Sequence, residues 1–201
     1  MRGLSLRALT GVVVAAALFA AAFLTTSAVA RSAAPRPVAA ARPDPWDDAR
    51  IVPAKLPPWQ TYRAGPLNYS AGEVCSFPLS AVPVKDGEQY RTLKYYPDGS
   101  PELQEYRGPL YARFTNEATG KSVTPNLSGY GWFHLADGTG AVRQALYLNN
   151  GGTTIKVGNR GFPAGYWVEH GQILITDNGQ GSKVIHVIHA TLENLCQTLG
   201  S

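Results

Sequence analysis

The stretch "KVIHVIHATLENLC", Lys183 to Cys196, gathers two of the chain's four histidines and one of its two cysteines. Histidines three apart beside a thiol would suit zinc on a helix, where positions i and i+3 share a face. The stretch is instead dense in β-branched residues, which favours a strand. An unbroken strand sends His186 and His189 to opposite faces. Zinc needs three or four converging ligands, and only His134 and His170 remain, from distant segments. The sequence therefore predicts no metal site and no cofactor.

Nucleophilic chemistry has little more to build on. No G-x-S-x-G elbow occurs. Ser128, in "LSGYG", could in principle meet His134 or His170 and an acid such as Asp137 or Glu169. Glu169 and His170, however, are neighbours in a strand-like run and should face apart. No catalytic residue is assigned on this basis. The alternative is a small hydrolase or isomerase with a barrel-type pocket, using His134 or His170 as base. The glycine-rich "NNGG" and "NGQGSK" do not lead from a strand into a helix, so they read as hairpin turns rather than phosphate cradles. A third class, a secreted protease inhibitor, would present the loop "GNRGFPAG" around Arg160.

Aromatic residues offer the better lead. Tyr95, Tyr96, Tyr106, Tyr111, Tyr130, Trp132, Tyr147, Tyr166 and Trp167 imply a ring-rich sheet, and rings on a sheet can stack on sugars or line an apolar pocket. In "GYGWF", Tyr130 and Trp132 share a face and Phe133 takes the other. The consecutive pairs Trp132/Phe133 and Tyr166/Trp167 each put one ring away from a single core. Tyr130, Trp132, Tyr166 and Trp167 are thus the candidate ligand-binding residues. The candidate partners are a cell-wall glycan, a small apolar ligand or another secreted protein.

The elements that must position these residues follow from texture. Arg2 and Arg7 precede an apolar run from Ala8 to Leu24, and "SAVA" offers Ala28 and Ala30 as an A-x-A exit. This is the pattern of a secretory signal cleaved after Ala30, leaving an exported protein with no membrane span. Residues 31–70 hold eight of the 15 prolines without apolar periodicity and read as a disordered linker, in which Trp46 and Trp59 are odd enough to suggest docking, on the domain surface first and otherwise on a partner. From Ala71 onward, short β-branched and aromatic runs alternate with turn signals such as "PDGS", "NEATGK", "ADGTG" and "NGQGS". Nine or ten strands at this spacing predict an all-β domain over 71–201, an antiparallel sandwich or small barrel. The prolines of "CSFPLSAVPV" suggest a sheet edge. One short C-terminal helix is predicted, with Thr191 as its N-cap and Leu192, Leu195, Cys196 and Leu199 on its inner stripe.

Two cysteines in an exported chain predict one disulfide, Cys75–Cys196, closing a loop of about 120 residues and contributing about 4–5 kcal/mol in chain-entropy models. The basic character belongs to the amino-terminal part: beyond Ser70, 10 of the 18 basic and 11 of the 14 acidic residues leave the domain one charge negative. With no lysine or arginine run, this excludes a nucleic-acid binder. The sequons at Asn68 and Asn126 follow a bacterial-looking leader and are not expected to be modified.

Cys75 to Cys196 resembles a group of uncharacterised secreted proteins of actinobacteria. The likeness is carried by "CSFPL", by "RFTNEATGKSVTPNLSGYGWF" (Arg113 to Phe133), and by "DNGQG" leading to "LCQTL". It implies an exported single β-domain with terminal cysteines, and it implies no activity.

Overall fold

The computed structural model describes residues 55–201. The expected leader, Trp46 and most of the expected linker lie outside them. The described residues form two antiparallel sheets. The larger has seven strands: β1 (Gln60–Thr61), β4 (Gln89–Tyr95), β5 (Pro101–Gly108), β8 (Gly129–Leu135), β9 (Val142–Ile155), β10 (Gly165–Asp177) and β11 (Lys183–Asn194), paired in that order. The smaller runs β2 (Leu67–Tyr69), β3 (Leu79–Asp86), β6 (Leu110–Asn116) and β7 (Ser122–Val123). Two sheets with open edges make this an all-β sandwich, the first of the two architectures expected.

Long strands replace several of the short ones. "NNGG" is not a turn: Asn149–Gly152 run through the middle of the 14-residue β9, pairing with Gly129 on one side and His170, Glu169 and Val168 on the other. The glycines are there because rings lie against the strand. A β-carbon on Gly152 would stand 2.5 Å from the Tyr166 hydroxyl. "YWVEHG" and "QILITD" likewise merge into the 13-residue β10. At β11, Gln172 pairs with His189 and Ile173 with Val187, so Ile188 is an extra, bulged residue. That bulge resets the alternation. His186, opposite Leu174, and His189, opposite Gln172, share a face, contrary to the divergence of an unbroken strand. His186 Nε2 lies 3.0 Å from Thr176 Oγ1, and no cluster of metal-ligating side chains forms among the described residues.

Part of the proline-rich stretch also joins the sheets, through β1 on β4 and β2 on β3, so the segment read as linker gives way to ordered pairing from Gln60. Trp59 docks on the domain, its ring lying between the Arg91 and Arg107 guanidinium groups at 4.2 and 4.0 Å. β3 is an inner strand, but β2 covers only Leu79–Ala81 of it. Pro83 lies beyond that cover, where its missing N–H costs no ladder bond.

Apolar side chains fill both faces of β10. Tyr166 and Val168 pack with Phe77, Leu79 and Phe114 of the small-sheet side and with Leu195 and Leu199 of the helix. On the other face, Ile173 and Ile175 pack with Ala145, Ile155 and Ile185, and Trp167 adds its ring. This explains the consecutive aromatic pair Tyr166/Trp167, since each ring has its own core. The helix, α1 (Leu195–Gly200), starts later than expected. Thr191 stays in β11 opposite His170, and Asn194 caps instead, its Oδ1 accepting from Cys196 N at 3.0 Å. Strand pairing with β10 outcompetes the first turn of the amphipathic pattern. Cys75 and Cys196 are joined, their Cα atoms 5.3 Å apart.

Candidate functional site

Register builds the site. Across β5, β8 and β9, Tyr106 lies opposite Gly131, which lies opposite Tyr147; the next row is Gln104, Phe133 and Ala145. Strand alternation puts all six on one face. Gly131 leaves the space between the two tyrosines unfilled and lets β9 approach, because a β-carbon there would stand 2.6 Å from Leu146 O. On this face the structure holds a cavity of about 400 Å³, lined also by Tyr62, Gly65 and Leu67 ahead of and within β2, and by Leu110 and Leu127 from the small-sheet side. Four rings run through it edge to face. Tyr62 and Tyr106 are 5.4 Å apart, Tyr106 and Phe133 4.8 Å, and Phe133 and Tyr147 5.2 Å.

Two carboxyl groups border this aromatic file. Glu88 lines the cavity, and its Oε2 is buried with no hydrogen-bond partner. Burial, reinforced by the nearby Asp86 charge, pushes its carboxyl up to about 7. Glu169 lies opposite Gly151, 0% exposed, with neither carboxylate oxygen partnered by a side chain or backbone group. A β-carbon on Gly151 would stand 3.1 Å from Glu169 Oε1 and 2.6 Å from Tyr147 Cδ1, so only glycine leaves room for both at the cavity wall. Burial lifts the Glu169 carboxyl to about 8. The Tyr106 phenol is pushed up to about 12 by burial, with Tyr62, Tyr90 and Glu88 adding to it. Tyr147 and Tyr166 are raised further, by burial first and by Glu169 second. At neutral pH the site is a set of neutral phenols beside two acids that hold their protons far above the ordinary carboxyl range. Such groups can accept or donate one hydrogen bond each, or ionise against a cation.

The one basic residue in the lining is engaged elsewhere. Arg107 donates to Gln89 Oε1 from Nε and Nη2, at 3.1 and 3.0 Å, while its guanidinium stacks on Trp59.

Of the four aromatic candidates from sequence, Tyr130 and Tyr166 line the cavity. Trp132 stacks edge-on with Tyr130, ring centres 4.8 Å apart. Trp167 packs on Phe162, with its Nε1 donating to Pro163 O at 3.0 Å. The residues weighed for a Ser–His–acid trio have separate partners. Ser128 Oγ accepts from Leu110 N at 3.0 Å; His134 lies 3.9 Å from Glu102, its pKa lowered by burial. His170 Nδ1 lies 2.7 Å from Asn150 Oδ1 and is exposed, while Glu169 beside it is buried, as alternation requires. In the loop around Arg160, Asn159 donates to Phe162 O and Lys183 O, and the Arg160 side chain itself bonds Gln180 O.

Sequence reasoning does not single out Glu88, Tyr106, Phe133 or Tyr147 as a site, and considers Glu169 only as the acid of a trio. The available signal is the glycine doublet Gly151–Gly152 between two apolar half-strands, which marks rings or another backbone lying against a strand. No protein-family model, no curated protein and no solved structure matches this chain.

Proposed function

We propose that this protein is an exported, non-catalytic binding module that holds a small, largely apolar ligand in the cavity beside Tyr106, Phe133 and Tyr147. The observation that carries the reading is the cavity itself. Its volume of about 400 Å³ falls within the range of small-molecule sites, and four rings in edge-to-face sequence present mostly apolar walls with a few polar groups among them. Binding is favoured over catalysis because Ser128, His134 and His170 each have a separate partner. Export is supported by the apolar run with its Ala-x-Ala exit and by a disulfide pair, which suits an oxidising compartment. A mature N-terminus at Arg31, read by mass spectrometry of the secreted protein, is the expected result.

The decisive test compares two sets of variants in a thermal-shift screen with small aromatic compounds and cell-wall oligosaccharides, since a ligand of the native state raises the midpoint. Tyr106→Ala and Phe133→Ala should abolish the shift, while Trp132→Ala and Trp167→Ala should leave it in place. The reverse pattern, with an oligosaccharide as the active compound, would move the site to the Tyr130–Trp132 face and end the cavity reading.

A further inference from the structure

We propose that the ligand is a small organic cation, an amine on an apolar body, with Glu88 as its counter-ion and the cavity's rings as its walls. This deepens the cavity reading and rests on it.

Glu88 and Arg107 are the charged side chains in the lining. The guanidinium of Arg107 is committed to Gln89 and Trp59, whereas Glu88 Oε2 is buried and unbonded. Behind Gly151, on the same sheet face, stands a second carboxyl, Glu169, fully buried with both oxygens unpartnered. Burying a carboxyl without a partner is costly, and breaking such a pairing exposes the full desolvation penalty. The unbonded Glu88 oxygen at the cavity therefore points to a ligand that supplies what the protein does not.

The ligand classes can then be compared. An anion would enter beside two acids with no uncommitted cation to receive it. A neutral molecule would satisfy at most a hydrogen bond to Glu88 and would leave Glu169 unaffected. A cation gains from Glu88, whose ionisation it favours, and from the rings of Tyr62, Tyr106 and Tyr147, whose quadrupoles attract positive charge. The raised proton affinity of both carboxyls fits the same picture, since it is the signature of acids waiting without a counter-charge. The four-ring file fits the apolar body.

Three compounds of one shape and different charge test this: 2-phenylethylamine, 2-phenylethanol and 3-phenylpropionate, titrated calorimetrically into the purified protein. The expected result is that the amine binds about tenfold or more tighter than the alcohol, which corresponds to about 1.4 kcal/mol, and that the carboxylate does not bind. Glu88→Gln should bring the amine down to the affinity of the alcohol while leaving the alcohol unchanged. Equal binding of amine and alcohol, or tighter binding of the carboxylate, would overturn the charge assignment and leave the cavity reading standing. Absence of binding by all three would overturn both. The wild-type comparison needs no variant, so a folding defect in Glu88→Gln does not blunt it.

Discussion

The two faces of β10 are filled in opposite ways. On one, Tyr166 and Val168 pack into a core with Phe114, Leu195 and Leu199, closed by the disulfide and the helix. On the other, which carries Trp167, Ile173 and Ile175, Glu169 is buried without a hydrogen-bond partner, and a cavity opens beyond Gly151. The contrast teaches that close packing and an unpaired carboxyl can occupy opposite sides of a single strand, while Tyr166 serves both the core and the cavity wall. The first side can be read as packing, whereas the second keeps space and unpaired polar atoms at the expense of packing.

The comparison can be broken most forcefully on the packed side. Phe114 is 0% exposed, and Phe114→Ala should cost about 3–5 kcal/mol in denaturant unfolding. A comparable truncation at the cavity, Phe133→Ala, should cost less, because its ring already borders empty space. Equal losses would mean that the cavity is as tightly packed as the core. Removing the disulfide with Cys75→Ser and Cys196→Ser should cost about 2–5 kcal/mol, seen also as a lower midpoint for wild type under reductant.

A pH titration sharpens the contrast further. Glu169 holds its proton to about 8 in the fold, while an unfolded chain releases it near the ordinary value of 4.5. The folded state thus binds more protons than the unfolded one between those values, so stability is complete below about pH 4.5 and falls as pH rises toward 8. About 3 kcal/mol should be lost between pH 4.5 and 7. Glu169→Gln should flatten most of that slope in thermal melts, with the remainder due to Glu88, which acts in the same direction. Stability that rose over this range would contradict the burial of Glu169. The smallest effect is expected at Trp59. Trp59→Ala removes two cation–π contacts and should cost about 1–2 kcal/mol, with the added consequence that β1 loosens on β4 and amide exchange there quickens.

Much of the fold was legible because its signals are local. The turn "NEATGK" closes as its residues demand, with Gly120 N donating to Asn116 O at 2.7 Å, and the paired cysteines are the two the chain has. Where the reading failed, the deciding partner was distant. "NNGG" looks like a hairpin turn to any local rule. Its extended course is imposed by Gly129 on one side and Glu169 on the other, with Asn149 taking a φ of 80° to manage it. Ile188 is an ordinary strand residue in sequence, and it is a bulge only because β10 fixes the register on both sides of it. The site was hidden for the same reason. Tyr106, Gly131 and Tyr147 are far apart in the chain and become a row only through two strand pairings, while Tyr130 and Trp132 stand two apart in one strand and share a face by local alternation alone.

The covalent link between Cys75 and Cys196 also decides how the molecule responds to mechanical load. A pull applied at Lys55 and Ser201 would reach the sulfur bridge after only short lengths of chain at either end, and the bridge would carry the tension. The loop it closes, 121 positions from end to end, would be bypassed. β8, β9 and the ring row of Tyr106, Phe133 and Tyr147 lie inside that loop and would keep their places, whereas a force that peels β1 and β2 away would take Tyr62, Gly65 and Leu67 with it and open the cavity on that side. Under reducing conditions the same force would pass through the strands themselves, beginning with the helix and β11.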